Sequence, residues 1–224
     1  MSGPMSQTLF AQLLAITTGL LLVTGVLLVW RRSLRSQVMF LAAQGWILAL
    51  LVLLLGVDQG SVELAGVAVL VLAFKGVALP AVLRRTLAAE GLSAREALPL
   101  LNTTASLIVT ALLTTLAYLV SRPLSALGAG PAVAAVPIGV ALVLYGFLLV
   151  ATRRHAVSQL LGFLMLDNGI ATVAFLTSGG VPLVVELGVS LDVLLVVLIL
   201  QVLTGRIRSE HGDMDLDDLR ELRD

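Results

Sequence analysis

Long apolar segments separated by short polar stretches make up most of this 224-residue chain. A helix of about 20 apolar residues, at 1.5 Å per residue, crosses the ~30 Å hydrocarbon core of a bilayer. Segments of that kind cover residues 9–30, 38–57, 63–83, 99–120, 131–152, 156–177 and 181–205. The pattern predicts an all-α integral membrane protein, a bundle of about seven transmembrane helices.

Arginines mark one end of the predicted spans. They follow the first, third, fifth and seventh segments, at positions Arg31, Arg32, Arg35, Arg84, Arg85, Arg95, Arg153, Arg154, Arg206 and Arg208. With seven spans all of these lie on one side, and only Arg122 lies on the other. Because cytoplasmic loops are enriched in basic residues, we expect the N-terminus outside, the C-terminus in the cytoplasm, and a multi-pass position in the cell inner (plasma) membrane.

Composition agrees with a membrane protein and excludes several kinds of site. Hydrophobic residues make up 58% of the chain and charged residues 12%, against about 25% charged in soluble domains. The absence of cysteine excludes disulfides and thiolate-held iron–sulfur clusters. His155 and His211 lie in charged flanking sequence, so a haem held across the membrane by two histidines is not expected. We expect no cofactor, no metal, no catalytic centre and no nucleic-acid partner.

The chain divides into a bundle and a tail. Residues 1–208 form the predicted transmembrane bundle, and residues 209–224 form an acidic cytoplasmic tail with few apolar residues. Such a composition is typical of a solvated, unpacked segment. The alternative is a short helix that docks its apolar residues, Met214, Leu216, Leu219 and Leu222, on a partner.

Four ionisable residues lie inside the predicted spans. Lys75, Asp167 and Asp192 are near the middle of the third, sixth and seventh spans, and Glu186 is about 9 Å nearer the outside than Asp192. An Asp at the bilayer centre costs at least ~2.5–3.5 kcal/mol, so a function is the default hypothesis for each residue. Three groups at one depth predict a polar layer in the membrane plane that carries protons or cations.

Lys75 precedes Pro80 by five residues. Proline has no N–H to bond the carbonyl of Gly76, so we expect a helix kink there and a polar point that water can enter. One alternative is an ion pair between Lys75 and one carboxylate that only holds helices together. That alternative leaves at least one of the embedded acids unpaired. Asn168, beside Asp167, fits a structural hydrogen bond between helices better than a function.

Several motifs resemble component E of hydrogenase-4, a membrane subunit of formate-hydrogenlyase-type complexes. They are L-G-F-L-M-L-D-N-G at residues 161–169, G-V-P-L-V-V-E-L-G-V-S-L-D-V-L at 180–194, Arg206-Ile207, and F-K-G-V-A-L-P at 74–80. Residues 131–206 also resemble the three-helix subunit K of complex I and its counterpart in multi-subunit sodium/proton antiporters. Glu186 takes the place of the last-helix glutamate of subunit K, and Asp167 follows the middle-helix glutamate position, Leu164, by one turn.

The resemblance implies a membrane subunit without a redox centre of its own. It would help couple electron transfer in a peripheral arm to proton or sodium movement, beside antiporter-like membrane subunits. Glu186, Asp192, Asp167 and Lys75 would form the ion path, with Pro80 at the helix kink. The alternative is an independent small proton/cation transporter or antiporter subunit, although no repeat relates the first three spans to the last three.

Overall fold

The computed structural model describes residues 6–89, 102–125, 130–153 and 156–178, and this part of the chain is helical almost throughout. The helices are α1 (Gln7–Trp30), α2 (Leu34–Gln59), α3 (Val62–Val71), a π-helical segment (Leu72–Ala78), α4 (Leu79–Ala89), α5 (Thr103–Ser125), α6 (Pro131–Thr152) and α7 (Ala156–Ser178). A helix pairs its backbone groups within one segment, which is what a chain in lipid requires.

Within these ranges six helices are long and apolar enough to cross a membrane, and they correspond to the first six predicted spans. The third span is continuous from Val62 to Arg85 and combines α3, the π-helical segment and most of α4. The seventh predicted span and the acidic tail lie outside the described residues. The structure therefore supports an all-helical membrane protein, while the count of seven stays a prediction.

Local capping sets several helix ends. The Ser61 hydroxyl accepts a hydrogen bond from the backbone N–H of Leu64 (3.3 Å), and the Asn102 side chain accepts one from Ala105 (2.7 Å). Both are N-cap contacts that satisfy otherwise unpaired donors. Gly60, with φ +65°, ends α2 in the left-handed conformation that glycine adopts without strain. This glycine turns the chain directly into α3.

The fourth span differs from its predicted bounds. Its described helix continues to Ser125, five residues beyond the predicted end at position 120. The polar residues after position 120 suggested a loop, but Pro123 lies within the last turn of the helix. The helix therefore extends beyond its apolar part, because helical backbone hydrogen bonds do not require apolar side chains.

The helices pack around α1 and α2. α1 contacts α2, α5 and α6, whereas α2 contacts α1, all three parts of the third span, and α7. α6 lies between α5 and α7. As a result α2 packs against both the third span and α7, the two elements that carry Lys75 and Asp167.

α6 and α7 approach each other along a row of glycines. A Cβ at Gly146 would come within 2.6 Å of the Leu166 Cβ, and one at Gly169 within 2.6 Å of the Val143 nitrogen. Gly139 and Gly162 are similarly tight. Small residues let membrane helices pack backbone to backbone, so this row fixes the position of α7 and of the carboxylate it carries.

The described arginines agree with the predicted arginine-rich end. The guanidinium of Arg153, at the end of α6, donates to the backbone carbonyl of Val29 (2.7 Å), near the end of α1. Arg35 and Arg84 line one groove between α2 and α4. Arg122 instead lies beside Val133, at the beginning of α6 and so at the other end of the bundle. Which end faces the cytoplasm stays a prediction.

Candidate functional site

A buried ion pair joins the third and sixth spans. The Lys75 ammonium lies 2.9 Å from Oδ2 of Asp167, and the two side chains are 4% and 13% exposed. Lys75 comes from the π-helical segment and Asp167 from the middle of α7. The structure confirms that Lys75 is buried and paired with a carboxylate, as the sequence predicted.

The helix around Lys75 is widened rather than simply bent. The backbone N–H of Leu79 bonds the carbonyl of Phe74, five residues earlier, as in a π-helix. Pro80 cannot bond Gly76, and the freed Gly76 carbonyl accepts a hydrogen bond from the indole N–H of Trp46 (3.1 Å). Single π turns of this kind occur frequently at functional sites. The kink at Pro80 stays a prediction, while the structure shows a π-helical segment before Pro80 and the Trp46 indole bound to the carbonyl where water was expected.

Gly45 allows α2 to lie directly against the backbone of Lys75. A Cβ at this position would lie 2.5 Å from both the carbonyl carbon and the carbonyl oxygen of Lys75. Real Cβ atoms do not approach backbone atoms so closely. The side chain of residue 45 must be absent for the π-helical segment to reach its position beside α2.

An amide contact continues the polar layer from the ion pair into α2. The Asn168 side-chain amide donates to Oε1 of Gln44 at 3.4 Å, and both residues are buried. The Asn168 backbone carbonyl accepts a bond from the Thr172 hydroxyl (2.7 Å). Asn168 thus forms the helix-to-helix hydrogen bond that the sequence suggested, and it holds α7 in register with α2 beside Asp167.

A narrow cavity of about 10 Å³ adjoins the ion pair. Its apolar walls come from Leu41, Leu79 and Leu164, and its polar groups from Lys75, Asp167 and Asn168. About 10–15 Å³ is the least space that holds one water molecule. Among the described residues, this space holds at most a single water beside the charged pair.

The sequence found part of this site and missed part of it. Lys75, Asp167 and Pro80 were predicted; the structure pairs Lys75 with Asp167, and Pro80 lies at the start of α4, just after the π-helical segment. Glu186 and Asp192 lie outside the described residues, so their positions stay predictions. The missed residues are three consecutive positions of α2: Gln44, Gly45 and Trp46. Gln44 was a usable signal, since it is the one charged or amide side chain within residues 38–57.

The site offers no evident place for a metal. In the four described ranges, no three histidine or carboxylate side chains converge as metal ligands would. The described groups of the site offer charge pairing between Lys75 and Asp167 and hydrogen bonding through Asn168 and Gln44.

Comparison with known proteins gives one relative over nearly the whole chain. The "Uncharacterized protein Rv0085" of Mycobacterium tuberculosis is 50% identical over 220 residues, which are 98% of this chain and 100% of that protein. No family model matches, and no solved structure matches.

A more distant similarity covers about a third of the chain. Hydrogenase-4 component E of Escherichia coli K12 is 29% identical over 80 residues, which are 36% of this chain and 37% of that protein. The protein of the same name from Shigella flexneri matches to the same extent. The link to hydrogenase-4 component E is thus partial, whereas the full-length match is decisive: this chain belongs to the family of the mycobacterial protein Rv0085.

Proposed function

We propose that this chain is a non-redox membrane subunit of a group 4 hydrogenase-like or complex I-like oxidoreductase in the plasma membrane. It contributes the Lys75–Asp167 pair, together with Glu186 and Asp192, to a lateral path for protons or sodium. That path is coupled to electron transfer in a peripheral redox arm. Antiporter-like membrane subunits are the neighbours along the path.

The buried ion pair is the observation that carries this proposal. Removing two charges from water costs several kcal/mol each, and their attraction repays this only with good geometry. Well-packed apolar residues often stabilise a protein equally well. A Lys–Asp pair at bilayer depth is therefore a weak device for stability, and ionisable groups at that depth are associated with ion paths and proton relays.

The pair can work as a switch between two neighbours. A proton that reaches Asp167 neutralises it and weakens its hold on the Lys75 ammonium. The ammonium then favours the next carboxylate in the layer, and Asp192 is predicted at the same depth on the seventh span. When Asp167 loses the proton again, the original pair reforms. The tight cavity limits water beside the pair, so charge moves by exchange between fixed groups.

The partial similarity to hydrogenase-4 component E supports membership of a multi-subunit complex. A subunit of this kind carries no electron-transfer centre, and a chain without cysteine fits such a role. Purification of the tagged chain from its own membranes tests membership. Antiporter-like subunits and a redox arm should co-purify with it, whereas a chain that purifies alone and transports ions by itself is an independent transporter.

The coupling role is tested with a charge-neutral replacement in the assembled complex. Lys75→Gln combined with Asp167→Asn removes both charges without leaving one unpaired. We expect the complex to assemble and keep its redox activity with artificial electron acceptors, but to lose most ion movement in reconstituted vesicles. Thr114→Val is the matched control, since it removes a buried, uncharged contact with Tyr145. Normal ion pumping by the double variant would show that the Lys75–Asp167 pair has only a structural role.

The same measurement of ion movement in reconstituted vesicles tests Glu186 and Asp192. Glu186→Gln keeps the shape and hydrogen bonding of the side chain but removes its titration. We expect this variant to assemble and to lose most coupled ion movement, with Asp192→Asn giving the same effect more weakly. If Glu186→Gln pumps like the parent, the carboxylate does not belong to the path.

A further inference from the structure

A cationic groove lies between α2 and α4 at the arginine-rich end of the bundle. Arg35, in the first turn of α2, and Arg84, on α4, both line it. Met39, Leu87 and Ala88 form its apolar walls, and its volume is about 400 Å³. Met39 lies one turn from Arg35 toward the middle of the bundle, whereas Leu87 and Ala88 lie one turn from Arg84 toward its end, because α2 and α4 run in opposite directions.

The groove lies at the boundary between hydrocarbon and water. Trp30 ends α1 at the same end of the bundle, and the guanidinium of Arg31 stacks 4.7 Å from the centre of its ring. Tryptophan is enriched at the headgroup level of membranes. The two groove arginines belong to the ends of two spans, which places them near the boundary between hydrocarbon and water, and Met39 is the lining residue on the hydrocarbon side because α2 runs from Arg35 into the bundle.

No carboxylate in the described part of the chain lies near this groove. The described acidic residues are Asp58, Glu63 and Asp167. Asp58 is 23 residues from Arg35 along α2, about 35 Å, and Glu63 is 21 residues from Arg84 along the third span, about 32 Å. Asp167 is buried against Lys75. Among these residues the electrostatic character of the groove is purely cationic.

We propose that the groove binds an anionic phospholipid, with its headgroup phosphate between Arg35 and Arg84 and the start of an acyl chain along Met39. Guanidinium groups bind phosphate oxygens through paired hydrogen bonds. Basic pockets between membrane helices are suited to anionic headgroups. The apolar walls select a lipid over a free phosphate ion, since an inorganic anion makes no use of them.

Binding can be measured on the purified full-length chain after delipidation. Phosphatidylglycerol is added back, with phosphatidylcholine and inorganic phosphate as separate probes, and bound lipid is counted by native mass spectrometry. We expect phosphatidylglycerol to bind and the other two probes not to. Arg35→Gln with Arg84→Gln should weaken its binding about 30-fold, from the usual contribution of two arginines near an anionic headgroup.

The matched control is Arg32→Gln with Arg85→Gln. It removes the same charge from the same end of the bundle, but neither residue lines the groove. This control should weaken binding at least about threefold less than the groove variant does, because it removes general attraction but no hydrogen bond to the phosphate. Equal losses in both double variants, or equal binding of phosphatidylcholine, would overturn the proposal. Equal competition by inorganic phosphate would also overturn it, in favour of a free-anion site.

A second variant keeps the test open if the double arginine variant does not fold. Met39→Trp fills the apolar part of the groove and leaves both arginines in place. It should abolish retention of phosphatidylglycerol, whereas Met5→Trp, far along the chain from the groove, should not. If the Met39→Trp variant retains phosphatidylglycerol, the lipid does not bind in this groove.

Discussion

Among single residues, the missing side chain of Gly45 and the missing N–H of Pro80 shape the site as much as its charged groups do. Lys75 and Asp167 supply the charges, but Gly45 supplies the space that brings the π-helical segment against α2. Pro80 removes one backbone hydrogen bond, and Trp46 replaces it from a neighbouring helix. Each of these residues has a defined partner, so the role of each can be tested by a single substitution.

Gly45→Ala should destabilise the protein by about 1–3 kcal/mol, the usual cost of forcing an extra group into a packed interior. The new Cβ would lie 2.5 Å from the Lys75 carbonyl, and a backbone cannot yield as a flexible side chain does. Thermal unfolding in detergent measures the loss, and ion movement in the complex should fall with it.

Gly19→Ala is the matched control for that substitution. It changes a helical glycine in α1, but a Cβ there meets nothing within 4 Å. Alanine is favoured over glycine in a helix by about 1 kcal/mol, so this variant should be as stable as the parent or more so. Equal stability of Gly45→Ala and Gly19→Ala would contradict the close approach at Lys75.

Among the elements, the third span and α7 are joined directly by the Lys75–Asp167 pair, and both pack against α2. The π-helical segment turns Lys75 toward α7, and the glycine row between α6 and α7 fixes Asp167 in return. The polar layer therefore joins three elements at one depth. The predicted seventh span would extend it, because Asp192 follows Val181 by 11 residues and Asp167 precedes Ser178 by 11 residues.

This symmetry about the turn predicts that the seventh span lies beside the ion pair. Leu164, one turn from Asp167, and Leu195, one turn from Asp192, would then face each other. Because the chain has no cysteine, the pair Leu164→Cys and Leu195→Cys can be tested without background. We expect a disulfide on mild oxidation, detected by a shift on a non-reducing gel, since bridging requires Cβ atoms about 4 Å apart.

Leu194→Cys with Leu164→Cys is the control, since position 194 is about 200° around a helix from Asp192. It should not cross-link. A seventh span that instead cross-links from position 195 to Leu112→Cys, on the exposed face of α5, would place Asp192 away from the pair. The ion path would then need a different geometry.

At the scale of the whole molecule, the charges sort by end. Arg35, Arg84 and Arg153 lie at one end of the described bundle and Arg122 at the other. This agrees with the distribution that the predicted spans required. A bundle with one basic end has a defined orientation in the membrane, because basic segments stay on the cytoplasmic side.

Labelling from either side of the membrane checks that orientation. Ser125→Cys should react with an impermeant thiol reagent added from outside, and Ser209→Cys only from inside, as expected for seven spans with the N-terminus outside. The parent chain, which has no cysteine, gives the blank. Labelling of both positions from the same side would rule out this topology.

The amino-acid sequence was enough to predict a membrane protein, six of its spans and the two charged residues that form the ion pair. Apolar length, arginine distribution and the cost of burying a charge are properties of the chain that act whatever its neighbours are. Pro80 could also be recognised as an interruption of the helical hydrogen bonds, since proline has no backbone N–H.

Which groups meet depends on how the helices pack. It selected Asp167 as a partner for Lys75, gave the freed Gly76 carbonyl to Trp46, and paired Asn168 with Gln44. These contacts join residues that are 30 to 124 positions apart. The rotation of each helix and its distance from its neighbours determine these contacts. Both depend on the side-chain volumes at many helix contacts, for example on the missing side chain of Gly45. A local sequence pattern cannot predict the combined effect of so many helix contacts.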